Sequence, residues 1–197
     1  MPASRPLLSL GVASLILLAC SAASSQELVH RFQAGPDILY AEGTHNNGRD
    51  KLEIQAVGVD ARYLPSVRIT PNLRLAGELS VGFAAPGDVQ FNGETRQGNL
   101  TVSAFGGGGL LWDGGAWYSA LTVVYGASKE SVAADGSEWL TIGAFPMVRL
   151  ATGVRLVPLG RGHLELILSG GIGFPEGRYS AQEWTLARAS VALGFAR

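Results

Sequence analysis

The sequence has one cysteine, two methionines, three histidines and two lysines. With Cys20 as its sole thiol, a mature exported chain has no intramolecular disulfide and no cysteine-based metal site. His30, His45 and His163 stand far apart, and no metal-ligand spacing is present. No basic tract occurs and the formal net charge is -1, so nothing draws the chain to nucleic acid. Beyond residue 25 no apolar run reaches the ~18 residues of a membrane helix, and no helical periodicity is sustained. Disorder is excluded too, because 47% of the residues are hydrophobic and 16% charged. No cofactor is expected.

The chain starts with "MPASRP", which carries one positive charge at Arg5, followed by the apolar "LLSLGVASLILLA" and the small-residue tract "CSAASSQ". That order describes a secretory signal peptide; the apolar run is too short to span a membrane comfortably. Residues 1–25 are therefore set apart from a single domain at 26–197, and the protein is expected to be exported. Cleavage after Ala23 or Ser25 fits the small residues there. "LLAC", residues 17–20, resembles a bacterial lipobox, which makes Cys20 a candidate lipidation site.

Glycine is abundant at 27 residues, and the mature chain shows a recurring two-residue period. In "NLRLAGELSVGF", Leu73, Leu75, Gly77, Leu79, Val81 and Phe83 fall on one side; Asn72, Arg74, Ala76, Glu78, Ser80 and Gly82 fall on the other. Successive side chains of a strand point to opposite faces, so this is a strand with two unlike faces. The pattern returns in "GNLTVSAFG", "AWYSALTVVYG", "EWLTIGAF", "HLELILSGGIGF" and "EWTLARASVALGFAR". Two earlier segments complete the set. "HRFQAGPDILYAE" contains Pro36, and in "KLEIQAVGVDARYL" the parity blurs at Val57 and Val59, which a bulge near Gly58 would repair. Eight strands are expected, at about 28–42, 51–63, 72–84, 97–107, 115–127, 137–156, 161–173 and 182–196. Region 146–158 either extends the sixth strand or bends at Gly153. Connectors alternate between longer polar and shorter, less charged segments, as in an up-and-down barrel.

The unlike faces admit two arrangements. In a soluble sheet the leucines are core; in a membrane barrel they face lipid. The apolar faces are nearly free of charge, whereas Arg74, Glu78, Arg149, Glu165 and Arg188 recur on the opposite faces. An Arg facing lipid at the bilayer midplane costs roughly 2–4 kcal/mol, so a lipid face demands such segregation. Trp112, Trp117, Trp139 and Trp184 gather near strand ends, as an interfacial girdle would. The opposite faces, rich in Gly, Ala and Ser, carry too few Lys and Glu for a wet surface. The fold expected is all-β: an up-and-down antiparallel transmembrane barrel with the five charged residues paired inside it.

Over about residues 27–197 this organisation resembles the small eight-stranded bacterial outer-membrane barrels, the family of the OmpA transmembrane domain. Such barrels end in an alternating strand with a near-terminal aromatic, read by the barrel-assembly machinery. "ASVALGF" with Phe195 looks like that ending, followed here by two further residues. The resemblance implies outer-membrane lipids and the assembly machinery as partners, the outer membrane as location, and a structural or surface-interaction role. Two alternatives stay open: a soluble exported lipocalin-like binding barrel, periplasmic or secreted, and a barrel enzyme that modifies lipid A.

An eight-stranded barrel is just wide enough to be filled by its own side chains, which disfavours a passive pore. Some lipid-modifying barrels carry a His–Ser pair near the chain's end; here "GRYSAQEWTLARAS" offers Ser180 and Ser190 without a histidine. "GGGG" at 106–109 lies between strand segments with no helix following, so a turn is expected there and not a phosphate cradle. On size and chemistry, Phe91, Arg96, Arg178 and Tyr179 are the loop residues suited to meet an extracellular partner, which the sequence does not name.

Overall fold

The computed structural model describes residues 27–45, 50–85, 88–91, 93–97, 101–129, 141–173 and 184–197. The expected signal peptide and Cys20 lie outside the described residues. Ten strands follow one another among the described residues: β1 (Leu28–His45), β2 (Asp50–Thr70), β3 (Leu73–Ala84), β4 (Asp88–Phe91), β5 (Glu94–Gln97), β6 (Thr101–Asp113), β7 (Trp117–Lys129), β8 (Thr141–Leu159), β9 (Gly162–Gly173) and β10 (Trp184–Ala196). Eight of them form a closed antiparallel barrel in up-and-down order, each strand paired with its neighbour in the chain apart from the small β4–β5 insertion. β1 closes the wall by pairing with β10 from Arg31↔Ala196 to Gly43↔Trp184, and with β2 along its other edge. β4 and β5 form a hairpin that pairs with the start of β2, Leu52↔Phe91 to Gln55↔Asp88, on the side of the long connectors.

One end of the barrel carries the tight connections at 71–72, 114–116 and 160–161 together with both ends of the described chain. There the backbones of His30 and Arg197 bond reciprocally at 2.8 and 2.9 Å. At the other end β1, β3, β7 and β9 stop and β2, β6, β8 and β10 start, with the β4–β5 hairpin beside them. The first is the turn end of the barrel and the second its loop end.

The alternation on β3 separates as the sequence predicts. Leu79, Val81 and Phe83 are about half exposed on the outer surface, while Arg74, Ala76, Glu78, Ser80 and Ala84 are buried inside. The same division holds on β7, with Leu121, Val123 and Tyr125 outside and Thr122 and Val124 inside, and on β10, with Val191 and Leu193 outside and Arg188 and Ser190 inside. Trp112 and Trp117 meet on the outer surface at the turn end, their rings 4.4 Å apart. Trp139 lies outside the described residues, and Trp184 begins β10.

Along the axis, the inward side chains form four layers. Charged groups at the turn end are followed by an apolar layer that includes Leu64, Leu111, Tyr118 and Ile167. A second charged layer comes next. The loop end is plugged by Leu39, Ile54, Phe105, Phe145, Met147 and Leu186, where Phe105 and Phe145 pack edge to face at 5.4 Å.

That last layer explains a departure from the expectation for β2. No bulge occurs near Gly58: the β1–β2 register runs unbroken from Leu28↔Val67 to His45↔Asp50. Ile54 and Ala56 point inward into the apolar plug, whereas Gln55 is exposed outside and hydrogen-bonds Glu53 at 2.9 Å. At the loop end, therefore, the inside is apolar and the outside polar, the reverse of the middle of the barrel. The parity looks broken only if one face is assumed to keep one character throughout. The irregularity in β2 falls between Arg68 and Thr70. Likewise, β8 runs through Gly153 without a break, and its register shifts between Arg155 and Val157.

The glycine run also departs from expectation. Gly106 to Gly109 is not a turn; it lies within β6, paired with β3 on one side and β7 on the other. A Cβ on Gly107 would sit 2.1 Å from the Val123 carbonyl oxygen, and one on Gly109 would sit 1.9 Å from that of Leu121. Closing a small barrel needs sharp local coiling of the wall, and glycine lets a neighbouring backbone pass where a side chain would stand. Gly170 has only an ordinary contact, with the Arg188 carbonyl at 3.5 Å. Gly107→Ala is therefore expected to prevent closure and Gly170→Ala to fold normally, as read by resistance of the refolded proteins to unfolding in unheated SDS.

Candidate functional site: two ion-pair layers inside the barrel

The middle charged layer draws on five strands through one inward register. Asp37 comes from β1, Asp60 and Arg62 from β2, Glu78 from β3, Arg149 from β8 and Arg188 from β10, and all six are between 1% and 7% exposed. Three arginines thus face three carboxylates. Arg188 donates through Nε to Asp37 at 3.0 Å and through a terminal nitrogen to Ser103 Oγ at 2.9 Å, and it lies 3.7 Å from Asp60. Arg62 pairs with Asp60 and reaches Ser190 Oγ at 3.2 Å; Ser190 in turn bonds Ser169 at 2.7 Å. Arg149 pairs with Glu78 and donates to Ser80 Oγ at 2.7 Å, while Thr122 donates to the other Glu78 oxygen. The Arg149 guanidinium also lies over the Phe105 ring, 4.8 Å from its centroid, where ring and cation attract.

The turn-end layer is looser. Arg31 lies 3.6 Å from Glu165 and 3.5 Å from Asp113, with its guanidinium over the Tyr118 ring at 4.7 Å. Gln33 donates to the Tyr118 hydroxyl at 2.8 Å. Arg155 binds both oxygens of Asp113 at 3.0 and 2.9 Å, and Arg74 approaches the same carboxylate at 3.6 Å. Asp113 gathers three arginines because its own strand ends there, leaving its carboxylate at the centre of the mouth.

Of the residues singled out from the sequence, the structure places Arg74, Glu78, Arg149, Glu165 and Arg188 inside the barrel. It divides them between the two layers: Glu78, Arg149 and Arg188 in the middle, Arg74 and Glu165 at the turn end. Sequence reasoning missed Arg31, Asp37, Asp60, Arg62, Asp113 and Arg155. A signal existed for the first four. Arg31, Gln33 and Asp37 alternate with Phe32, Ala34 and Ile38, and Asp60 and Arg62 alternate with Val59, Ala61 and Tyr63. For Asp113 there was none, since it stood in a presumed turn.

The remaining candidates are scattered. The His30 ring bonds the Tyr63 hydroxyl at 2.7 Å, and His163 stands exposed at the turn-end rim. His45 ends β1, with its backbone opposite Asp50. Phe91 and Arg96 take backbone positions on β4 and β5; Arg178 and Tyr179 lie outside the described residues. Among the described residues, no group of three His, Cys, Asp or Glu could hold a metal ion.

No family model matches the chain, and no curated protein does. Among solved structures it is similar to Neisserial surface protein A, at 16% identity and a TM-score of 0.48, over 85% of this chain and 95% of that one. It is also similar to Ail, the attachment invasion locus protein of Yersinia pestis, crystallised with a heparin analogue, at 10% identity and 0.44, over 87% and 99%. The outer membrane protease OmpT of Escherichia coli follows at 8% identity and 0.42, over 87% and 96%. Likenesses this distant transfer neither a role nor a site.

Removing one end of a buried pair leaves the other charge uncompensated, typically at a cost of about 3–5 kcal/mol, whereas replacing both ends with apolar groups is often neutral. Glu78→Leu alone should therefore lower the urea midpoint of unfolding in micelles sharply. Glu78→Leu combined with Arg149→Met should recover most of the loss.

Proposed function

We propose that the protein is an integral outer-membrane barrel with a structural or surface-interaction role and no catalytic one. The observation that carries this reading is the inversion of inside and outside across the barrel's middle. Six ionisable side chains are buried within, while large apolar side chains such as Leu79, Leu121, Val123, Leu168, Ile172 and Leu193 stand on the outer surface. In water a continuous apolar belt of that kind would drive association; in a bilayer it is the surface hydrocarbon wets without cost. An apolar groove of about 870 Å³, whose lining includes Phe32, Ala34, Leu79, Val81, Leu193 and Phe195, runs along this belt and would be filled by acyl chains. Closure supports the same reading, since a wall in hydrocarbon must leave no backbone group unpaired.

In this reading the short connections face the periplasm and the long ones the cell exterior. The outer ends of β1 and β2, where Glu42, Glu53 and Gln55 face outward, project past the belt. They carry the β4–β5 hairpin, the surface offered to an extracellular partner. The charges of the middle layer are paired with one another, which supports a packing role over proton transfer. Lipids of the belt and the barrel-assembly machinery, which would read the last strand through Phe195, are the partners this reading requires.

Two preparations test it. Wild-type protein extracted from the outer-membrane fraction should migrate differently in SDS before and after boiling. Leu79→Arg, which puts a charge worth roughly 2–4 kcal/mol against lipid, should greatly reduce assembled protein, while Ser80→Ala, inside, should not. A soluble, unshifted wild type would overturn the membrane reading in favour of a soluble exported barrel.

A further inference from the structure

The two charged layers differ in one respect: the middle layer balances, and the turn-end layer does not. A cavity of about 360 Å³ opens at the turn end, and Arg31, Arg68, Arg74, Arg155, Arg161 and Arg197 line it with His163. Among the described residues, two carboxylate side chains, Glu27 and Asp113, share that lining. Glu165 lies behind it, fully buried, 3.6 Å from Arg31 and 3.9 Å from Arg155. The chain as a whole is slightly acidic, so this concentration of guanidinium groups is local.

Two further observations show that the cations are under-used. Arg74 is 4% exposed and Arg31 is fully buried, yet the Nε groups of Arg31, Arg74 and Arg155 stand 3.6, 3.6 and 3.9 Å from a carboxylate oxygen and have no hydrogen-bond partner. Buried guanidinium donors normally find acceptors. The mouth also already holds an anion. The Glu27 carboxylate, itself 62% exposed, reaches in from the residue before β1 to within 2.7 Å of Arg68 and 3.6 Å of Arg74. It is tethered, solvent-facing and replaceable. Its Oε2, shared between the two guanidinium groups, stands where an oxygen of a free oxoanion would.

We propose that the turn-end mouth is a binding site for a multivalent oxoanion, bearing phosphate or carboxylate groups, and that Glu27 occupies it in the ligand-free protein. Planar guanidinium groups pair with either group through two parallel hydrogen bonds. Arg68 and Arg161, at the rim, capture the ligand; Arg74, deeper, supplies a donor that has no hydrogen-bond partner. That the mouth faces the periplasm rests on the membrane reading above, but the binding itself does not.

Calorimetric titration of the folded full chain in a non-ionic detergent at low salt tests this, with inorganic pyrophosphate and citrate as separate probes. Saturable binding is expected for at least one, and the preference between them identifies a phosphate or a carboxylate source. Glu27→Gln should tighten binding severalfold by removing the internal competitor. Arg68→Gln with Arg161→Gln should weaken it tenfold or more while the boiling-dependent mobility stays intact. Absence of saturable binding to wild type and Glu27→Gln alike would overturn the proposal. So would binding that none of these substitutions changes, because the anion would then sit elsewhere. Mobility in SDS reports the barrel separately, so failure of the membrane reading is distinguishable from failure of the site.

Discussion

The pairing of β1 with β10 is the constraint on which the rest of the structure depends. Without it the sheet would have two long edges of unpaired backbone groups, which hydrocarbon cannot satisfy and which water would expose to other chains. With it, eight strands enclose a narrow interior of nearly fixed width. Everything inward must then be small, apolar and well packed, or charged and matched. The glycines of β6 belong to the same constraint: at Gly107 and Gly109 the adjacent strand passes so close that no side chain fits.

Within that interior the charges are arranged by cost. An unpaired charge away from water is expensive, and a paired one is close to neutral in its net effect. The middle layer, shut in by apolar layers on both sides, has its three arginines and three carboxylates interleaved, with Ser80, Ser103, Thr122 and Ser190 taking up further hydrogen bonds. The turn-end layer, open on one side, tolerates an imbalance that the middle could not. Exposure to water sets how complete the pairing must be, and the incomplete layer is the one with room for a ligand.

Much of this was legible in the sequence because a strand's period is a strict two. On β3, Arg74 and Glu78 announce the inside as plainly as Leu79 and Val81 announce the outside. The last strand is equally clear, with Arg188 and Ser190 against Val191 and Leu193. Legibility failed wherever the environment changed along the axis. In β2, Ile54 and Val57 are both apolar but point to opposite sides, because the inside is apolar at the loop end and the outside is apolar in the middle. No bulge near Gly58 reconciles them, for the register there is unbroken. The glycine run failed for a different reason: glycine marks turns and close strand packing alike, and only the neighbouring backbone at β7 distinguishes them. Asp113 could not be assigned from the sequence, since its role comes from three arginines brought to it by β1, β3 and β8.

The central claim is that the belt containing Leu79 faces hydrocarbon while its alternate neighbours face the sealed interior. Spin labels placed singly at each position from 75 to 83 on β3, in a background lacking Cys20, would test it most directly after reconstitution into lipid bilayers. The account predicts a two-residue oscillation in collision with oxygen, high at 79, 81 and 83 and low at 78, 80 and 82, with a water-soluble nickel complex excluded from both sets. High nickel-complex accessibility at 79, 81 and 83 would place that face in water and contradict the account.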